Sequence, residues 1–219
     1  PLFHLMLTLI VYQLSCLLYS KFRYKLFHPG IISISVLILF MKATQTSFED
    51  YNANTSLLSF WLGPSVVALG LPLYLYIKHL KGCYVRVLLA MIGGSLIGII
   101  SVVIIAKLLG ASDVILYSLA PKSVTTPIAM EVSKGLGGIP ALTIAVVFIT
   151  GFVGALFGWG FLTKIGIKDE KAIGIAMGAA SHAIGTAEII KNGDKFGAYG
   201  ALGMALNGIL TAVFAPIII

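Results

Sequence analysis

The chain has 219 residues, of which 58% are hydrophobic and only 11% charged, with a mean hydropathy of +1.02. Soluble domains carry about 25% charged residues, so a chain this poor in charge cannot coat a water-facing surface. The formal charge of +7 does not point to nucleic acid, because the basic residues stand in short clusters between apolar runs, a placement suited to the anionic inner face of a membrane.

The reading is therefore an all-α, polytopic transmembrane bundle, one domain over 1–219. A span needs about 20 mostly apolar residues. Taken in order, about eight segments approach that requirement: 2–20, 29–41, 57–77, 84–108, 112–133, 139–163, 171–190 and 197–219. The second is short and reads as tilted or partly interfacial. A basic loop with Lys21, Arg23 and Lys25 follows the first segment. A polar acidic loop near 43–56, with Glu49, Asp50, Asn52 and Asn54, follows the second. Lys78, Lys81 and Arg86 mark a second basic turn, and Lys164, Lys168, Asp169, Glu170 and Lys171 a later mixed loop. Because the first apolar run flows into a basic loop, no cleavable signal peptide is expected. A short native N-terminus is expected ahead of Pro1. Cys16 and Cys83 have neither metal-site nor disulfide spacing, and no metal or cofactor is expected.

Lysine and arginine placement puts the 21–25 and 78–86 loops together in the cytoplasm and the 43–56 loop outside. Beyond residue 110 the rule stops helping. Whether 112–133 crosses or dips in and returns, the tally of basic residues per side comes out the same.

Two segments do not read as plain spans. In PKSVTTP, Pro121 and Pro127 each remove a backbone donor and clash with the preceding turn. They flank Lys122, Ser123, Thr125 and Thr126. A simple proline kink would not need that lysine and those hydroxyls. Broken backbone at membrane depth survives only where protein buries it or where it lines a wet cavity, and an intramembrane ionisable residue is a functional-site candidate. In GAASHAIGTAEII, residues 178–190, close helix packing accounts for Gly178, Ala179, Ala180, Ala183 and Gly185. It does not account for Ser181, His182, Thr186 and Glu188. Gly178 and Gly185 are read as helix breaks. Glu131 and Glu188 near segment ends are weaker candidates.

A faint repeat supports the pairing. A shift of 115 residues lays GPSVVALG at 63–70 on GAASHAIG at 178–185, and Pro64 and Pro72 interrupt the third segment as well. Transporters often carry two related halves whose broken helices meet near the midplane. The repeat would be inverted if 112–133 is re-entrant and parallel if it crosses. A half-helix starting at mid-membrane offers unpaired N–H groups and the positive end of its dipole. With the hydroxyls and Lys122 this makes a pocket for a small carboxylate, and His182 is the candidate for coupling to protons.

APKSVTTPIAMEVSKGLGGIPALT (120–143), AMGAASHAIGTAEI (176–189), GPSVVALGLPLY (63–74) and the NGILTAVFAPI ending resemble the LrgB family of bacterial membrane proteins. The LrgB-like part of the plant chloroplast glycolate/glycerate transporter is related to that family. The likeness covers nearly the whole chain. It implies a multi-pass protein of the bacterial plasma or inner membrane, in which Lys122, Ser123, Thr125, Thr126, Ser181, His182 and Thr186 line the central site. It also implies a small LrgA/CidA-type membrane partner. The expected function is transport or facilitated passage of small monocarboxylates of the pyruvate, glycolate or glycerate kind. The alternative is a holin- or antiholin-like protein that modulates murein hydrolase export, cell lysis and programmed cell death. A homodimer is expected only because it is the commonest closed assembly. Ser181 and His182 lack a third group to orient them, and HExxH and GxSxG motifs are missing, so an enzyme is not expected.

Overall fold

The computed structural model describes residues 2–22, 27–61, isolated positions between 64 and 80, and 82–219. Described residues are helical or in turns, and the chain divides into two compact units, Pro1–Pro64 and Ser65–Ile219.

In the first unit, α1 (Leu2–Phe22) and α2 (Pro29–Thr44) run antiparallel. Phe3 meets Phe40, Ser33 donates to Ser15 at 3.1 Å, and Tyr19 lies beside His28, so pairs close in inverse order along the two helices. The chain then bends by 120° into α3 (Phe48–Asn54). The polar stretch read as a loop is largely this short helix, because Ser47 Oγ caps it by accepting from the Asp50 N–H. Tyr51 packs back on α1, its hydroxyl 2.6 Å from Thr8 Oγ1.

Beyond residue 61, the predicted segment at 57–77 falls mostly outside the described residues. Pro72 lies outside them, and Pro64 is flanked on both sides by positions outside them. The repeat match at 63–70 shares that position.

In the second unit, α4 (Tyr84–Leu108) and α8 (Asp194–Ile218) are parallel 25-residue helices. Met91 clusters with Tyr199 and Leu202, Ser95 donates to Asn207, and Ile99 clusters with Ala215, so contacts advance together along both. A third long helix, α7 (Pro140–Lys164), lies against the stretch Glu170–Ile189 and relaxes into a π turn at Gly154–Gly158.

The segment predicted at 112–133 does not cross. It is α5 (Asp113–Leu119), a turn, and α6 (Thr126–Leu136). At the turn, the Ser123 carbonyl is bound by Asn207, midway along α8, and Ile128 lies against Gly208. Farther from the turn on either arm, Ala120, Val132 and Leu136 belong to the cluster of Ile99 and Ala215 near the end of α8. Both arms therefore leave the middle of α8 in the same direction. The loop after α6 closes the hairpin: the Ile139 N–H donates to Ser118 Oγ on α5 at 2.7 Å.

The segment predicted at 171–190 also turns back. The stretch Glu170–Ile189 contains two non-helical residues, Ser181 (φ −134°, ψ 17°) and His182 (φ 41°, ψ −138°). Before them, Gly174 faces Tyr199, Gly178 faces Met204, and the Ala179 carbonyl is bound by Asn207, a path parallel to α8. After them, Thr186 faces Gly200 and Ile190 faces Gly197, a path antiparallel to it. Glu170 and Lys195 pair at 3.4 Å, which puts the start of the first arm beside the start of α8. A Cβ on Gly185 would stand 3.4 Å from the Met177 carbonyl, whereas eight residues of straight helix span about 12 Å. The two halves are thus arms of a second hairpin.

Five described helices are long and apolar enough to cross a membrane, or six if the bent pair α2–α3 is one span. One of the five, Glu170–Asn192, is the second hairpin. Of the apolar segments expected, 112–133 and 171–190 are the two hairpins. Among its described residues, the second unit has three helices of spanning length and two re-entrant hairpins entering from opposite faces. Gly178 and Gly185 are not the breaks; both are helical, and the reversal falls at Ser181 and His182. Gly178 is small because it abuts the Gly200 carbonyl, and Gly185 because it abuts the Ser181 side chain.

Candidate functional site

Each hairpin ends a helix at mid-membrane, which leaves carbonyls without an i+4 donor. In hydrocarbon each unpaired group costs about 4 kcal/mol. One side chain answers both hairpins. Asn207 Nδ2 donates to Ala179 O at 2.8 Å in the second hairpin and to Ser123 O at 3.3 Å in the first. Its Oδ1 accepts from Ser95 Oγ of α4. An amide has two donors and one acceptor oxygen, so four elements are tied through one buried residue, 4% exposed.

Beside this junction is a cavity of about 880 Å³. Its inner end carries Ser95, Lys122, Ser123, Asn207 and Thr211. Its mouth carries Arg86, Asp169 and Lys171, at the α8 end where Glu170 and Lys195 meet. Small residues on the walls, among them Ala90, Gly94, Gly98, Ala176 and Ala180, leave it wide. Lys122 Nζ donates to Ser123 Oγ at 3.1 Å. Beyond the inner end, toward the opposite face, Ile99, Ala120, Ala215, Val103, Val132 and Phe214 pack into an apolar cluster. The cavity is therefore a cationic vestibule reaching mid-membrane from one side and stopped by hydrocarbon on the other.

The residues singled out in the sequence do not share one pocket. Lys122 and Ser123 line the cavity. Pro121 is buried in the turn, and Pro127 sits in the first turn of α6, where its missing N–H costs nothing. Thr125 stands at the N-cap of α6 with its hydroxyl buried and unpartnered, and Thr126 begins the helix. Neither reaches the cavity wall. Ser181 and His182 face α7 instead. Ser181 Oγ donates to Met177 O at 2.7 Å, and His182 Nε2–H donates to Val147 O at 2.9 Å. The ring fits only because Gly151 lacks a Cβ, which would lie 2.6 Å from it. Thr186 donates to the His182 carbonyl at 2.8 Å and supports the second arm. These three hold the reversal of the chain and leave the cavity to others.

Sequence reasoning passed over Asn207, Ser95 and Thr211. The first had a signal: an asparagine in the middle of a glycine-rich apolar helix must find partners. Single serines and threonines in such helices are often satisfied by their own backbone, so the other two carried none.

A model of the LrgB-like family matches residues 8–219. Proteins named antiholin-like protein LrgB, from Bacillus cereus strain B4264 and Bacillus anthracis strain CDC 684, are 35% identical over 218 residues. That alignment covers 99% of this chain and 94% of theirs. An uncharacterized protein of Haemophilus influenzae is 32% identical over 97% of this chain and 92% of its own length. No solved structure matches. With its membrane-length helices and a family match over nearly the whole sequence, the chain belongs to the LrgB-like family of multi-pass membrane proteins.

Proposed function

We propose that the chain works as an antiholin-like protein of the bacterial plasma membrane, tempering lysis beside a small LrgA-type partner. The observation that carries this is the name of its Bacillus relatives across nearly their full length. The test is to induce a holin-like LrgA-type partner in bacterial cells with and without this chain, following culture density and released murein hydrolase activity. A delay in lysis supports the role, and identical lysis curves reject it.

A second reading is favoured by one feature of the geometry. A cationic, dead-ended vestibule at the meeting of two re-entrant hairpins suits a selective solute site better than an open lesion. In this reading the chain is a facilitator of small monocarboxylates, with Lys122 and Ser123 binding the carboxylate and Arg86 and Lys171 drawing anions to the mouth. With two hairpins, Arg86, Lys164, Lys168, Lys171, Lys191 and Lys195 gather on the vestibule side, while Lys107 and Lys134 lie toward the other. The positive-inside tendency then supports a vestibule facing the cytoplasm. Purified protein in liposomes separates the readings. Saturable uptake of labelled pyruvate or glycolate, cut about tenfold or more by Lys122→Met, supports the facilitator. Leakage of large dyes with no saturable uptake rejects it.

A further inference from the structure

We propose that Asn207 is the positioning residue that closes the two re-entrant hairpins on each other, so that their tips loosen together and never singly. This goes beyond either functional reading, since it holds whether or not a solute passes. The tips have no other shared polar tie among the described residues. The first presents the Ser123 carbonyl, the second the Ala179 carbonyl, and both reach the same Nδ2. That nitrogen can serve both only if the amide plane is fixed, and Ser95 fixes it from α4 by donating to Oδ1. The arrangement is built for the interior of one helix bundle. α8 carries the asparagine near its midpoint, and the neighbouring Gly203 and Gly208 let Ile175 and Ile128 close in on either side.

The consequence concerns the vestibule. Lys122 precedes the bonded Ser123 carbonyl, and Ala180 follows the bonded Ala179 carbonyl, so the same pair of bonds sets the width of the inner end. The amide is held by its three bonds jointly, so opening either tip leaves it on Ser95 and one carbonyl and weakens its orientation toward the other. Two segments that come in from opposite faces are thereby coupled through a single side chain.

The test is hydrogen–deuterium exchange with mass spectrometry on the full chain in lipid nanodiscs, reading peptides over 119–126 and 178–184. Asn207→Asp keeps size and oxygen but deletes the amino donors. Exchange should rise about tenfold at both tips, as expected for the loss of buried hydrogen bonds, while α1 and α2 stay as in the parent. Parent-like exchange at both tips, or a rise at one tip alone, overturns the proposal. Should Asn207→Asp not fold, Asn207→Gln is read by the same rule. It returns both donors on a longer stem, so joint loosening supports the coupling, and unchanged or one-sided exchange overturns it. Liposome uptake by the same variants is a separate readout, so failure of the facilitator reading leaves this result standing.

Discussion

The two hairpins make the same reversal by different means. In the first, the turn between α5 and α6 is bracketed by Pro121 and Pro127 and filled with residues that favour leaving a helix. In the second, no proline intervenes. The reversal falls on Ser181 and His182, and His182 is held at φ 41°, a conformation costing an L residue about 1–3 kcal/mol. The surroundings supply what the local sequence does not: Val147 holds the ring, and Gly151 and Gly154 make room for the bend. The break in the first hairpin is signalled by its own residues, that in the second only by its neighbours'.

The largest effect that distinguishes them should come from a neighbour. A Cβ on Gly154 would run into the Ser181 side chain, and both groups are walled in by α7 and the hairpin. Gly154→Val should cost more than about 3 kcal/mol, the upper range for overpacking, and abolish monodisperse protein on size-exclusion chromatography. A well-folded variant with an unchanged melting point would show that the second hairpin does not depend on this contact.

That asymmetry also explains what could be read beforehand. The helical membrane class follows from composition alone, and the 121–127 interruption from two prolines around a lysine. Whether that segment crosses was open, because a helix break specifies a bend and not where the chain goes next. The direction is set by Asn207 and by the Ser118–Ile139 contact, which join residues far apart in sequence. For the second hairpin, the polar cluster was visible but its role was not. Ser181, His182 and Thr186 have the composition of a ligand site, yet each is spent on a backbone carbonyl. Gly178 and Gly185 stand in the interrupted segment but are not where it breaks. Here their lack of a side chain serves close packing instead.

A middle-sized effect sits at His182 itself. His182→Ala loses the bond to Val147 and leaves that carbonyl unpaired while the strained φ remains as in the parent, so a loss of about 1–3 kcal/mol is expected. His182→Gly loses the same bond but adopts φ 41° without strain. The glycine variant should therefore be the more stable of the two, by about 1 kcal/mol in denaturant unfolding. The reverse order would mean that the backbone conformation at 182 does not govern the reversal.

The smallest effect is expected where the sequence signal was strongest. Pro121 is buried in the turn of the first hairpin, but other features hold that turn. The Lys122 N–H already bonds to Leu119 O at 3.1 Å, the Val124 N–H to Pro121 O at 3.3 Å, and the Ser123 carbonyl to Asn207. Restoring an N–H at 121 in Pro121→Ala offers the chain one more helical bond. Taking it up as part of a longer helix would require surrendering the tie to Asn207 and exposing polar backbone to hydrocarbon, which costs about 4 kcal/mol. The hairpin should therefore persist, with a stability change under about 1 kcal/mol and unchanged labelling of a cysteine placed at Ser123 in a background lacking Cys16 and Cys83. If that cysteine instead becomes inaccessible from the vestibule side, the prolines, and not the tertiary ties, are what keep the first hairpin from straightening across the membrane.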